Sequence, residues 1–441
     1  MKSLKSVYKF VAVILAMLML SSVFTFPAPA DAAGGSETVV NWGGGRSYRL
    51  FVPSGYIPGQ PIPLVVMMHG CTQTAVQFRD GTQMNQIAEQ ENFIVMYPEQ
   101  PTSANQNRCW NWFETAHQRR GSGEPQIIVD MVRQVQANFT IDHSAVFVGG
   151  LSAGGAMSST LGLLYPDVFA ATSINAGLGF QAGTSMLNAF TAMSPGTPAI
   201  APATAAGNAF NQVPANARGL VPSIVLHGEA DFTVRPLAGE HVVTQMLAFN
   251  ARTDASISAA SRTTRTGSAN SLNYTLHSFT NGVGDIVVQH YVIAGLGHSW
   301  SGGNGAIAHT DSRGPNASYL SWRFFQNAAG LGDEECPIPP TEPPTQPTVP
   351  PTDPTVPPTD PTVPPTDPTV PPTDPTVPPT DPTVPPVEFI YVRANVNQHN
   401  MAGRVSAAQF FHYFSLHGPT GLFNMYQVVG TNTWTSTRPT N

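Results

Sequence analysis

Ala145-Val146-Phe147-Val148-Gly149-Gly150-Leu151-Ser152-Ala153-Gly154-Gly155-Ala156-Met157 joins an apolar run to a run of small residues through two pairs of glycines. Its apolar start reads as a buried strand and Gly155-Ala156-Met157 opens a small-residue helix, with Gly150-Leu151-Ser152-Ala153-Gly154 joining the two. The chain must turn sharply at that junction, so glycines leave the room and the serine takes a strained backbone. Ser152 then projects at a helix N-terminus, whose positive dipole end favours a developing oxyanion. A bare G-x-S-x-G occurs by chance; strand before and helix after mark it as a nucleophile elbow.

Outward from the elbow, strand and helix patterns alternate, which predicts an α/β fold: a mostly parallel sheet with helices on both faces. Strands are expected at Arg49 to Val52, Leu64 to Met68, Phe93 to Met96, Ala145 to Val148, Ala170 to Ile174, Ser223 to Leu226 and Val287 to Val292. Helices are expected at Gln77 to Gln90, Gln126 to Asn138, Gly155 to Leu164, Glu240 to Asn250 and Ala317 to Asn327. The stretch Gly177 to Gly219, rich in Ala, Gly, Pro, Asn and Thr, reads as an irregular insertion: a lid, a binding loop or a plain surface loop.

A serine hydroxyl needs an imidazole to take its proton, and a carboxylate to hold that imidazole. His298, in Gly295-Leu296-Gly297-His298-Ser299-Trp300, follows the last strand on a glycine-flanked loop and is the candidate base; His227, His241, His290 and His309 are its rivals. Asp231, in His227-Gly228-Glu229-Ala230-Asp231, follows a strand at the carboxyl edge and is the candidate acid, ahead of Glu229 and Asp285. Acyl transfer also needs backbone donors for the oxyanion. The Ala153 N–H supplies one, and the Cys71 N–H, in the His69-Gly70-Cys71-Thr72 loop, is assigned as the other.

Lys2, Lys5 and Lys9, an apolar run to about Phe26 and the small residues Ala30-Asp31-Ala32 predict a secretory signal peptide over residues 1–32. No other lysine occurs, the formal charge is −7 and no basic run appears, so neither nucleic acid nor an anionic membrane is an expected partner. Residues 34–332 are long enough for one large domain. Residues 337–386, with Pro-Pro-Thr-Asp-Pro-Thr-Val recurring, predict an extended polyproline-II linker, and 387–441 a small second module. Three cysteines in an exported chain leave at least one unpaired. Cys71 with Cys109 is the favoured disulfide, because both lie beside the assigned site whereas Cys336 opens the proline tract; another pairing with one reduced cysteine is the alternative.

His69-Gly70-Cys71-Thr72-Gln73, Cys109-Trp110-Asn111-Trp112-Phe113, Gly150 to Met157, Gly297 to Gly303 and Asp311 to Ser318 together resemble the extracellular poly(3-hydroxybutyrate) depolymerases and the related feruloyl and acetylxylan esterases. The resemblance implies an α/β-hydrolase fold, a triad carried over as Ser152, Asp231 and His298, an oxyanion hole including the Cys71 amide, and no cofactor or metal. It also bears on the second module, where His399-Asn400-Met401-Ala402-Gly403-Arg404 and Gly421-Leu422-Phe423 partly match a depolymerase substrate-binding domain. The expectation is a secreted, monomeric serine esterase acting on an insoluble polyester such as poly(3-hydroxybutyrate). The alternatives are a feruloyl or acetylxylan esterase acting on plant polysaccharide, and a catalytically inactive polymer-binding protein. Trp110, Trp112 and Trp300, near the assigned loops, are candidates for substrate contact, with a place in the core as the equal alternative.

Overall fold

The computed structural model describes residues 34–331, 389–395, 422–428 and 434–435. The expected signal peptide (1–32), the linker (337–386), Cys336 and most of the second module lie outside the described residues.

Strands β1 (Ser36–Trp42), β2 (Arg46–Val52), β3 (Ile62–Met68), β4 (Ile94–Glu99), β5 (Ile141–Leu151), β6 (Ala171–Asn175), β7 (Ser223–Gly228), β8 (Thr263–Ala269), β9 (Leu272–Thr280) and β10 (Ile286–Ile293) form one sheet in the order β1-β2-β4-β3-β5-β6-β7-β10-β9-β8. From β4 to β10 every neighbouring pair is parallel. The pairs β1–β2, β2–β4 and β9–β10 are antiparallel. The inner strands are buried on both faces, which is why Leu64 to Met68 and Ala145 to Val148 read as continuous apolar runs rather than alternating ones.

The helices are α1 (Ala75–Thr82), α2 (Met84–Glu91), α3 (Gly123–Asn138), α4 (Ala153–Leu164), α5 (Met186–Met193), α6 (Pro202–Gln212), α7 (Leu237–Asn250) and α8 (Ala317–Ala328). They cover both faces of the sheet. On β6, Ser173 Oγ is 2.7 Å from Ser321 Oγ of α8, while its neighbour Thr172 packs against Gly162 of α4 on the opposite side. Phe147 of β5 stacks on Phe325 of α8 at 4.7 Å between ring centres, and Phe93 stacks on Trp322 of the same helix at 4.0 Å.

Two expectations are corrected. The single helix expected over Gln77 to Gln90 is two, because Gln83 takes a left-handed conformation (φ 56°) that caps α1 and starts α2. The stretch from Gly177 to Gly219 is not irregular throughout. It contains α5 and α6, and α6 packs against α4 and α7, with Ala205, Ala206 and Ala209 buried. Alanines there mark a close helix contact rather than a loop.

In the second unit, Phe389–Asn395, Leu422–Val428 and Trp434–Thr435 form a small antiparallel sheet with the middle segment at its centre.

Candidate active site

β5 runs without interruption into Ser152, whose φ of 57° and ψ of −119° lie in a region that L-residues rarely occupy. The Ser152 amide donates to the Asn175 carbonyl at the end of β6 (2.9 Å), which ties the turn to the sheet. Gly154 is required by space. A Cβ at that position would collide with the Met68 and His69 carbonyls at the end of β3, so only glycine lets α4 start this close to the sheet.

Asp231 and His298 come from two neighbouring parallel strands at the same carboxyl edge. The loop after β7 and the loop after β10 are stitched together: Glu229 N donates to Ile293 O (2.9 Å) and Ala230 N to Leu296 O (3.0 Å). Across this seam His298 Nδ1 lies 2.7 Å from Asp231 Oδ2, so Nδ1 carries the hydrogen and Nε2 keeps its lone pair. The other carboxylate oxygen accepts from the Thr233 and Val234 amides, both at 2.9 Å. Burial alone would push the Asp231 carboxyl up, but the charge of His298 and hydrogen bonds from His227 and His298 outweigh it and hold the group well below the usual carboxylate range. Asp231 therefore stays ionised although it is fully buried.

Beyond His298 the chain crosses back to the opposite part of this edge. Asn304 N donates to Gly81 O of α1 (2.8 Å), and Gln73 Nε2 donates to Ala308 O (3.0 Å). Gln73 Oε1 accepts from Gly70 N (2.9 Å), so one buried amide side chain links the loop that bears His298 to the loop after β3. His309 packs edge-on to His298 with ring centres 6.3 Å apart, and burial, reinforced by the charge of His298, pushes its imidazole down.

The loop after β3 has several anchors. Cys71 and Cys109 form a disulfide, Thr72 N donates to Asn107 O (2.7 Å), and Trp110 Nε1 donates to His69 O (3.1 Å). His69 is fully buried, receives the Gln100 amide on Nε2 (3.1 Å) and bonds Gly70 O through Nδ1 (2.8 Å). Burial pushes its imidazole down, so it serves as a neutral prop. Glu124, also fully buried, accepts from Arg46, Gln100 and both the amide and side chain of Asn111, which secures the segment that carries Cys109. Gly70 lies against Ser152, since a Cβ on it would stand 3.4 Å from the Ser152 Cβ. Among the described residues, neither the Cys71 nor the Ala153 N–H has an acceptor, which leaves both free for an anion.

The three tryptophans named as candidates for substrate contact are buried among core side chains. Trp110 and Trp300 are 1% and 0% exposed and Trp112 is 4% exposed. Trp300 packs edge-on to Phe78 and donates to Ser318 Oγ (3.0 Å). Of the rival residues, Glu229 is exposed and Asp285 sits in an exposed turn with Asn281, away from any imidazole contact. Gln73, Glu124 and His227 carry supporting contacts that their sequence neighbourhoods did not announce. Among the described residues, no group of three or more His, Cys, Asp or Glu side chains is placed to hold a metal ion, and no helix is long and apolar enough to cross a membrane.

Comparison with known proteins matches this arrangement to esterases. Over 240 residues the chain is 38% identical to poly(3-hydroxyalkanoate) depolymerase C of Paucimonas lemoignei, a match covering 52% of this chain and 56% of that protein. It is 30% identical over 247 residues to acetylxylan esterase A of Talaromyces purpureogenus, covering 54% of this chain and 63% of that protein. The chain thus spans somewhat more than half the length of these relatives. Among solved structures, an acetyl xylan esterase from Aspergillus awamori superposes with a TM-score of 0.51 at 22% identity, covering 60% of this chain and 94% of that one, a likeness of the α/β-hydrolase fold. The family model described as Esterase PHB depolymerase matches residues 46–269, half of the chain, and the chain belongs to that family.

Proposed function

We propose that this protein is an exported serine esterase that cleaves ester bonds of an insoluble polyhydroxyalkanoate, such as poly(3-hydroxybutyrate), through an acyl-enzyme on Ser152. The observation that carries the reading is the pairing of buried Asp231 with half-buried His298, held at 2.7 Å on the same sheet edge as a serine in a strained elbow conformation. His298 Nε2 takes the Ser152 proton as Oγ attacks the ester carbonyl, and the Cys71 and Ala153 amides receive the oxyanion. His298 then protonates the departing alkoxide. In the second half it takes a proton from water, which attacks the acyl carbonyl, and His298 returns that proton to Ser152 Oγ as the acyl C–O bond breaks and the acid leaves. Asp231 remains a carboxylate throughout and stabilises the imidazolium.

The polyester substrate is supported by the depolymerase relatives and by a second module, which on a polyproline tether would raise the local concentration of catalyst at a polymer surface. An acetylxylan or feruloyl esterase is the second reading, supported by relatives of those names at 30% and 33% identity. Release of 3-hydroxybutyrate from polymer granules, set beside release of acetate or ferulate from xylan, separates the two. Ser152→Ala is expected to abolish all of these activities, by roughly a factor of 10⁶ in kcat. Full retention in the alanine variant would refute the acyl-enzyme.

A further inference from the structure

Asp231 has a second histidine neighbour. His227, the penultimate residue of β7, points to the face of the sheet covered by α7 and is 1% exposed. Its Nε2 lies 2.8 Å from the Val234 carbonyl oxygen and 3.4 Å from Asp231 Oδ2. A carbonyl oxygen only accepts, so Nε2 carries the hydrogen, and that hydrogen is shared between the carbonyl and the carboxylate. Nδ1, buried and without a hydrogen-bond partner among the described residues, keeps the lone pair.

At 3.4 Å the contact with Asp231 is too long for a strong hydrogen bond, whereas the 2.8 Å contact with Val234 has ordinary geometry. The shorter contact therefore dominates. It anchors the Asp231-to-Val234 turn, and that turn returns two amides, Thr233 N and Val234 N, to Asp231 Oδ1. With Oδ1 held by the turn and Oδ2 flanked by two imidazoles, the plane of the carboxylate has no freedom left, and the direction in which it aims His298 is set. We propose that His227 is a positioning residue for the reaction: its Nε2–H, acting through Val234 and Asp231, fixes the orientation of the His298 ring toward Ser152.

α7 is shaped around this ring. A Cβ on Gly239 would stand 2.9 Å from His227 Nδ1 and 3.2 Å from His290 Nε2, so the helix approaches both imidazoles only because residue 239 has no side chain. Gly239 thereby offers a way to displace His227 without deleting it.

The inference rests on the triad reading above, and the test keeps the two apart. His227→Leu keeps bulk and removes the N–H; His227→Gln places an amide N–H near the position of Nε2. On a soluble ester such as p-nitrophenyl butyrate, His227→Leu is expected to lower kcat roughly 10- to 100-fold with KM within twofold, the size of effect that follows from a small misplacement of a reacting group. The acidic limb of kcat/KM is expected to move as well, because His227 is one of the groups that hold the Asp231 carboxyl down. His227→Gln should recover most of kcat and return the limb, and Gly239→Ala should lower kcat in the direction of the leucine variant. Thermal unfolding of each variant identifies loss by misfolding. Equal losses in the Leu and Gln variants with the acidic limb unmoved would show a structural role only, and wild-type kcat in both His227→Leu and Gly239→Ala would remove the proposal. Activity surviving in Ser152→Ala would instead overturn the triad.

Discussion

Replacement of His290 by leucine tests how the buried imidazoles behind the site respond to acid. His290 lies on β10, 4% exposed, and among the described residues its Nε2 has no hydrogen-bond partner. Burial, with smaller contributions from the charges of His227, His277 and Arg262, pushes its imidazole from an ordinary 6.5 down to about 3. Between those values the unfolded chain binds a proton at this position and the native protein does not. Stability therefore rises with pH across this window and is lost as pH falls from 6.5 towards 3, by about 1.4 kcal/mol per unit from this group. From pH 7 to pH 4 only the part below 6.5 counts, roughly 2.5 units, or about 3 kcal/mol. Leucine cannot take the proton, so urea unfolding at pH 7, 6, 5 and 4 should show the native protein losing about 3 kcal/mol more than His290→Leu over that range. At pH 7 the leucine variant should be about as stable as the native protein, since it discards an unsatisfied buried nitrogen at the cost of some repacking. Parallel pH profiles for the two proteins would mean that His290 takes up its proton while still folded, so that its burial does not weaken the protein in acid.

Two further outcomes follow from the loops around Ser152. Cys71→Ser with Cys109→Ser opens a link spanning 38 residues, for which chain entropy predicts a loss of about 4 kcal/mol; the lower Tm should come with a fall in kcat as the Cys71 amide loses its anchor, and an unchanged kcat would argue against that amide in the oxyanion hole. Trp300→Ala should cost roughly 3 to 5 kcal/mol in stability by emptying a fully buried site, while KM for a soluble ester stays put; a raised KM with intact stability would return Trp300 to the substrate.

The centre of the fold was readable because its signals are local. Four apolar residues before a small-residue turn and a helix after it can adopt few conformations, and the seven inner strands declared themselves as short apolar runs at the positions where β2 to β7 and β10 lie. The outer strands did not. β8, with the sequence Thr-Thr-Arg-Thr-Gly-Ser-Ala, is mostly exposed, and β1 is only partly buried, so neither carries the apolar pattern that marks a strand. The break at Gln83 escaped as well, since a left-handed glutamine leaves no mark in a helical pattern.

Residue order alone named Ser152, Asp231 and His298, because a parallel sheet delivers the residues after its strands to one edge wherever they fall in the chain. Burial and contact were a different matter. Nothing in the neighbourhood of Trp300 separates a tryptophan facing substrate from one packed on Phe78, and nothing in Leu226-His227-Gly228 places that imidazole beside both Asp231 and the hollow at Gly239. These depend on which strands pair, in which register, and how closely a helix lies on them. Local signals sufficed for the inner strands and for the chemistry they bring to the edge of the sheet, since turn shape and apolar period act within a few residues. Which side chains touch emerged from the folded chain, because those distances are summed over the packing of segments far apart in the sequence.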